Sequence, residues 1–199
     1  MPINYYGNMA LTTSQIAILK REIPVWIDTL YSNGFSTKQI SFTIPQMLLE
    51  SGYFTSNSYR QDLNPLGIKF RPANPSPDTT QGRKSSEFNT DGSYYARFGS
   101  RDSLAKEYKR ILSLKRTANK LGKPIDAVDL RDFSKRLKAN GYHQIAEPEY
   151  YRSLVGANRN ISIAVPNYLE LLKKKNIASY LFYSGIILLG LVWIIKKNK

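Results

Sequence analysis

The residue that most directly suggests chemistry is a glutamate at the end of an apolar helix turn. Glu50 follows Met47-Leu48-Leu49 and precedes Ser51-Gly52. An apolar neighbourhood disfavours the charged form of a carboxyl, which raises its pKa and keeps it protonated near neutral pH. A protonated carboxyl is what a general acid needs in order to donate a proton to a leaving oxygen. A glutamate near a helix end is also a common surface residue, so this interpretation depends on the rest of the chain.

The composition excludes several other kinds of active site. The chain of 199 residues has no cysteine and one histidine, His143. Disulfides, thiolate metal sites and a cysteine nucleophile are therefore excluded, and we expect neither a metal centre nor a Ser-His-Asp triad. We expect no cofactor. Hydrophobic residues make up 42% of the chain, which is enough for a folded core.

The chain is strongly basic, with a formal net charge of +14 at pH 7. A basic surface attracts polyanions such as nucleic acid, anionic lipid or the acidic polymers of a bacterial wall. The sequence contains no helix-turn-helix, zinc or RNA-binding signature, so we do not expect a nucleic-acid partner. Part of the charge flanks an apolar segment, as is usual for membrane helices: Lys173, Lys174, Lys175, Lys196, Lys197 and Lys199.

The apolar segment between these lysines covers residues 177–195 and carries no charged side chain. A helix of this length reaches roughly 28 Å, which is about the thickness of a bilayer core. We therefore predict a transmembrane helix over residues 177–195, preceded by a basic tether at 157–176 and followed by a basic tail at 196–199. Residues 1–14 lack the features of a signal peptide, so we expect a single-pass, C-terminally anchored membrane protein.

Helical periodicity and its interruptions place the candidate residues on elements. Apolar spacing predicts a first helix from Ser14 to Gly34, and Ser36 is a typical cap for a second helix that ends at Glu50. The stretch from residue 64 to 99 is rich in proline and small polar residues. It predicts an irregular loop that leads into a small β-hairpin. Two further helices are predicted, at residues 103–122 and 126–140.

Five short segments, in order along the chain, resemble those of glycoside hydrolase family 73, whose glucosaminidases include flagellar and autolytic wall hydrolases. Glu50-Ser51-Gly52-Tyr53 with Ser56 resembles the family's ESGWGxS signature, and residues 64–69 are similar to its NLFGIK segment. The other three are the hairpin strand, the helix after it and the closing GYATDPxY segment, which match residues 86–98, 100–112 and 141–150. The resemblance runs from about residue 16 to residue 154.

This resemblance implies a mainly α, lysozyme-like α+β domain over residues 1–156, with a small β-hairpin lobe over the cleft. It also implies cleavage of the peptidoglycan glycan strand between N-acetylglucosamine and N-acetylmuramic acid. Three residues match the family's catalytic positions: Glu50 as the acid, Glu87 as the hairpin carboxylate and Tyr142 as a cleft tyrosine. Asp91 lies close to Glu87 and is the alternative hairpin carboxylate. We expect substrate contacts from Tyr53, Asn64, Tyr94 and Tyr95.

Other functions remain open on the sequence alone. A muramidase or a lytic transglycosylase can use the same fold, because fold does not decide which bond is cut. A non-catalytic, membrane-anchored wall-binding or virion structural protein could also retain it. A wall hydrolase that has a C-terminal anchor and no signal peptide stays on the side of the membrane where it is made. We therefore expect a bacteriophage protein of a virion membrane or lysis apparatus, or an enzyme of the bacterial cell envelope. The residues leave the oligomeric state open.

Overall fold

The computed structural model describes residues 10–73, 78–84, 93–115 and 120–175. Within them the chain is mainly helical, with one small antiparallel sheet, as predicted. The elements in chain order are α1 (Thr13–Ser32), α2 (Thr37–Glu50), α3 (Asn57–Asp62), β1 (Thr79–Lys84), β2 (Tyr94–Phe98), α4 (Arg101–Leu112), the 3-10 turn η1 (Pro124–Asp126), α5 (Leu130–Ala139) and α6 (Glu147–Ala164).

Side-chain caps fix where the first two helices begin. The Thr12 hydroxyl accepts a hydrogen bond from the backbone N–H of Gln15. In turn, the backbone N–H of Thr12 donates a hydrogen bond to the side-chain oxygen of Gln15. Ser36 and Gln39 repeat this arrangement at the start of α2. Such a capping box satisfies N–H groups that would otherwise lack a partner. The predicted role of Ser36 and the predicted end of α2 at Glu50 are both confirmed.

Helix α2 is the central element of the core and packs against α1 and α6. Every residue from Phe42 to Leu48 is buried, so this part of the helix is covered on all sides. A helix that is buried all round lies inside a domain. Glu50 follows this segment directly, which places its carboxyl at the edge of the core on a rigid support.

The small β-lobe contains a strand that the sequence did not predict. β1 pairs antiparallel with β2, with Thr79 opposite Phe98 and Gln81 opposite Ala96. The sequence was interpreted there as an irregular loop, and this part of the interpretation is wrong. None of the six residues of β1 is fully buried, so the strand has no alternating apolar pattern to identify it. The predicted turn at Asp91-Gly92 lies outside the described residues.

A buried aspartate attaches both strands of this lobe to the helical body. Asp62, at the end of α3, is completely buried. Its Oδ1 lies 2.9 Å from Arg97 Nε on β2, and its Oδ2 lies 3.3 Å from Arg83 Nε on β1. A buried charge is tolerated when it is paired in this way. The ion pairs therefore fix the position of the hairpin relative to α3.

Two predicted helices are present but shorter than expected. α4 covers Arg101–Leu112 rather than 103–122, and its cap is Ser100. α5 covers Leu130–Ala139 rather than 126–140, because the side chain of Asp129 caps it and η1 precedes it. The helical spacing identified both elements, while the capping side chains determine where they begin.

The tether predicted for residues 157–176 is wrong for the part that the structure describes. α6 continues to Ala164, and residues 168–175 are again helical. Buried side chains recur through this region at helical spacing among polar ones: Ala157, Ile161, Ala164, Tyr168 and Leu172. Lys175 Nζ lies 2.7 Å from Asp28 Oδ1, and its carbonyl accepts a hydrogen bond of 3.0 Å from Tyr31 Oη. The folded domain therefore reaches Lys175, and a boundary at residue 156 would divide α6.

No helix among the described residues is long and apolar enough to span a bilayer. The predicted transmembrane helix at residues 177–195 and the basic tail at 196–199 lie outside the described residues. Both remain predictions from the sequence.

The close approach of β1 to Asp62 gives a test of the packing of the lobe. A Cβ at Gly82 would lie 2.8 Å from Asp62 Cγ and 2.9 Å from the Tyr95 carbonyl oxygen. Because neither the ion-paired side chain nor the backbone can move away at little cost, Gly82→Ala should lower the free energy of unfolding by about 1–3 kcal/mol. Gly99→Ala is the matched control, since its Cβ would meet its nearest atom at 3.5 Å. Urea unfolding that finds the two variants equally stable would contradict this packing.

Candidate active site

The chain turns sharply as soon as it passes Glu50. Gly52, Tyr53 and Phe54 all have positive φ, between 56° and 63°. This conformation is unfavourable for residues that carry a Cβ, and it persists only where the surroundings hold it. Here Tyr53 and Phe54 are buried, and the Ser51 hydroxyl accepts a hydrogen bond of 2.8 Å from the Phe54 N–H. The turn ends α2 at Glu50, whose side chain is half-buried.

Four tyrosines from four parts of the chain lie within electrostatic reach of Glu50. The pKa of each phenol is raised, mainly by burial and next by the negative charge of Glu50. The hydroxyls are therefore neutral at physiological pH. We call them the tyrosine cluster: Tyr95 on β2, Tyr108 on α4, Tyr142 after α5 and Tyr150 on α6. The site is therefore built from elements that are distant in sequence.

One member of the tyrosine cluster binds the carboxyl directly. Tyr150 Oη donates a hydrogen bond of 2.7 Å to Glu50 Oε1. Tyr108 donates instead to Gln46, one turn earlier on α2, and Tyr142 donates to the Leu66 carbonyl at 2.7 Å. These bonds fix the hydroxyls around the carboxyl.

Burial raises the pKa of Glu50 to about 7, although the hydrogen bond from Tyr150 acts in the opposite direction. No ion pair to Glu50 is present within the described residues. Glu22 shows what a cation does to a buried carboxyl. Burial alone would raise its pKa, but hydrogen bonds from Tyr59, Arg21 and Arg101 hold the pKa below its ordinary value. The Glu50 carboxyl is shielded from water and has no cationic partner among the described residues, so it keeps a proton near neutral pH.

The structure brings some of the sequence-predicted residues to Glu50. Tyr142 and Tyr95 belong to the tyrosine cluster, and Lys69 Nζ lies 4.5 Å from the centre of the Tyr95 ring. Tyr94, the neighbour of Tyr95 on β2, is exposed. Glu87 lies outside the described residues, so its assignment as the hairpin carboxylate remains a prediction.

Tyr53 and Asn64 have packing roles in this structure rather than positions open to a ligand. Tyr53 is buried, and its hydroxyl accepts a hydrogen bond of 2.7 Å from Asn160 on α6. Asn64 is also buried, and its amide donates to the carbonyls of Ile68 and Ala96 while accepting from the Ile68 N–H. These bonds join the segment after α3 to β2. The expectation that both residues contact substrate gains no support from their positions.

Sequence reasoning did not assign roles to Tyr150 and Tyr108. Tyr150 lies in the segment that resembles GYATDPxY, so the motif contained the signal, but only the first tyrosine of that motif was taken as functional. Tyr108 lies at helical spacing with Leu104 and Leu112, a pattern that indicates a core position. Among the described residues no three His, Cys, Asp or Glu side chains are grouped so as to hold a metal ion.

The arrangement can perform one half of a glycosidase reaction. Cleavage of a glycosidic bond requires a protonated carboxyl that can donate to the leaving oxygen. Glu50 is a carboxyl with a raised pKa at the end of a rigid helix, and one of its oxygens accepts a hydrogen bond from Tyr150, so its position is compatible with that chemistry.

A comparison with protein families agrees with this chemistry. The family model described as Glucosaminidase: Mannosyl-glycoprotein endo-beta-N-acetylglucosaminidase matches residues 32–178, which is more than half of the chain. The chain belongs to the glucosaminidase family. The resemblance inferred from the sequence is thereby confirmed, and the family implies a glycosidase that acts on peptidoglycan. No curated protein and no solved structure was found to match.

The glucosaminidase match covers the whole site. It begins before α2 and ends after residue 175, so it includes Glu50 and all four members of the tyrosine cluster. It also includes the helical residues after 156 that the sequence had assigned to a tether.

The raised pKa of Glu50 should make this glucosaminidase less stable at high pH. The carboxyl has a pKa of about 7 when folded against an ordinary value of 4.5, so the folded state binds the proton more tightly. The bound proton contributes fully to the free energy of unfolding below about pH 4.5. This contribution, at most about 3 kcal/mol, is lost as the pH rises through 7. Glu50→Gln carries no such proton.

The variant should therefore gain stability relative to the native chain between about pH 5 and pH 8. Urea unfolding of both proteins at the two pH values measures this difference. A difference that does not change with pH would show that Glu50 has an ordinary pKa.

Proposed function

We propose that this chain hydrolyses the glycan strand of peptidoglycan as an endo-β-N-acetylglucosaminidase, with Glu50 as the general acid. Membership of the glucosaminidase family supports the reaction class. The observation that carries the assignment of the acid is the Glu50 carboxyl, which is buried beside the hydroxyl of Tyr150 and has a pKa of about 7. A general acid works best when its pKa lies near the working pH.

In the proposed reaction the proton of Glu50 passes to the glycosidic oxygen as the bond from that oxygen to C1 breaks. Positive charge then develops at C1 and the ring oxygen of the sugar. A second group must either activate the attacking water or stabilise this charge. Glu87 is the proposed base, on the basis of the family resemblance, and the acetamido group of the substrate is the alternative. Either course ends with water added at C1 and a new reducing end.

Substrate contacts are proposed for the half of the site that faces the β-lobe. Tyr94 is exposed on β2, and its ring is free to stack on a sugar face. Tyr95 and Tyr142 belong to the tyrosine cluster and lie near the carboxyl that would act on the bond. Lys69, above the Tyr95 ring, is suited to a substrate carboxylate. Arg97 is less suited to that role, because it pairs with Asp62.

We further propose that residues 177–195 anchor the enzyme in a membrane, either a virion membrane or the bacterial cell envelope. The uncharged segment between two lysine clusters supports the anchor. The folded domain reaches Lys175, so a span that begins at residue 177 would hold the domain directly against the bilayer. A phage that uses the enzyme for host-cell penetration or lysis would deliver it to the wall.

The function is tested by clearing of purified cell walls. Glu50→Gln should keep the fold and lower the rate of clearing by at least ~100-fold, because general acid catalysis is lost. Glu149→Gln, which alters an exposed glutamate beside Tyr150, should clear walls at the native rate. Folded Glu50→Gln that clears walls at the native rate would contradict the assignment of the acid.

The digest of the same experiment identifies the bond. New reducing ends of N-acetylglucosamine agree with the proposal. Reducing ends of N-acetylmuramic acid indicate a muramidase, and anhydro ends indicate a lytic transglycosylase.

The anchor is tested with a fragment that ends at Lys175, since a shorter one would lose the contacts of Lys175 with Asp28 and Tyr31. This fragment should be soluble without detergent and should keep its activity. The full chain in membranes should resist extraction by high salt or carbonate, because salt screens surface charges but does not remove an inserted apolar helix. Release of the full chain by salt would show that the lysines alone hold it on the surface.

A further inference from the structure

Tyr150 is held at one face of its ring and at its hydroxyl. It is 1% exposed, and its hydroxyl donates to Glu50 Oε1 across a sequence separation of 100 residues. The His143 ring stacks on it, with centroids 3.8 Å apart and an angle of 18° between the planes. A buried aromatic ring in such a stack has little rotational freedom. The direction of its O–H bond is therefore set by the fold.

The stacking partner is itself held in place and uncharged. His143 Nδ1 lies 3.2 Å from the Ile145 carbonyl oxygen, and the ring is buried. Burial lowers the pKa of His143 to about 4, with a further decrease from nearby Lys138. The imidazole is therefore neutral over the pH range in which Glu50 titrates, and it supports Tyr150 without adding a charge to the site.

A protonated carboxyl has one carbonyl oxygen and one hydroxyl oxygen, and the carbonyl oxygen is the better hydrogen-bond acceptor. Because Tyr150 donates to Oε1, it favours the form in which Oε1 is the carbonyl and Oε2 carries the proton. We propose that Tyr150, held by His143, is a positioning residue that places the catalytic proton on Glu50 Oε2. This inference rests on the proposed function, in which Glu50 is the general acid.

The same hydrogen bond changes strength during the reaction. The O–H bond at Oε2 breaks, the proton moves to the glycosidic oxygen, and the electron pair of the C1–O bond goes with that oxygen. Glu50 is left as a carboxylate, so the bond from Tyr150 becomes charge-assisted and stronger. An interaction that is stronger in the transition state than in the bound substrate raises kcat rather than lowering KM.

Among the described residues, the tyrosines near Glu50 do not titrate in the pH range in which Glu50 does. Tyr95, Tyr108 and Tyr142 have raised pKa values and stay neutral. Arg83 lowers the pKa of Tyr95, against the larger effects of burial and of Glu50. The loss of activity at alkaline pH therefore reports the deprotonation of Glu50.

The test is Tyr150→Phe, which removes only the hydroxyl and keeps the stacked ring. Without the bond that stabilises the carboxylate, kcat should fall about tenfold and KM should change little. The alkaline limb of the pH profile should move upwards by about one pH unit, because the bond from Tyr150 lowers the pKa of Glu50. Tyr168→Phe is the matched control: Tyr168 is a buried tyrosine whose hydroxyl has no hydrogen-bond partner among the described residues. It should leave both quantities unchanged.

The role of His143 is tested by a pair of variants. His143→Phe keeps an aromatic ring against Tyr150 and should retain most of kcat. His143→Ala removes the stack and should lower kcat towards the value of Tyr150→Phe. Equal activity of the two variants would remove His143 from the proposal.

The outcomes separate this inference from the proposed function. If the native chain clears walls and Tyr150→Phe has the native kcat and pH profile, the inference is overturned while the proposed function stands. If the folded native chain does not clear walls, the proposed function fails. The role of Tyr150 is then measured in urea unfolding, where the pH-dependent loss of stability should still move to higher pH in Tyr150→Phe. The same midpoint in both proteins would overturn the inference.

Discussion

A carboxyl that is shielded from water keeps its proton when no cation pairs with it, and among the described residues no cation pairs with Glu50. The fully buried middle of α2 holds the residue at the edge of the core, and the sharp turn after it ends the helix there. Tyr150 binds the carboxyl through its neutral hydroxyl, and the other members of the tyrosine cluster lie within electrostatic reach of it. Charging Glu50 in this position costs stability above neutral pH, and the rigid core offsets that cost. Such a local loss of stability is common where a protein carries out chemistry.

Two other buried carboxyls, Glu22 and Asp62, show that a carboxyl paired with arginine has a structural role. Glu22 is bound by Arg101 and Tyr59, and these contacts join α1 to α3 and α4. Asp62 is bound by Arg83 and Arg97 and fixes the β-lobe on α3. Each of these side chains is ion-paired and holds elements together. Within the part of the chain that the structure describes, Glu50 is bound by a hydroxyl instead of a cation, which suits it to the proposed role of an acid.

Local patterns in the sequence, together with the family resemblance, pointed to Glu50 as the proposed acid and predicted the helix that carries it. The cap at Ser36 and the apolar residues before Glu50 are signals within one element. Contacts between distant elements left no such signal. β1 is held through the ion pairs of Asp62 rather than by an apolar alternation, and the buried residues of 157–175 stand among polar and charged ones. The bond from Tyr150 to Glu50 joins residues 100 positions apart, so only the fold shows it.

The central claim is that Glu50 is protonated near neutral pH in the folded protein. Carbon NMR of the side-chain carboxyl, assigned by comparison with Glu50→Gln, measures its pKa directly. The account predicts a pKa of about 7. A value close to the ordinary 4.5 would contradict it, because the carboxyl would then be ionised at the pH of the reaction and could not serve as the acid.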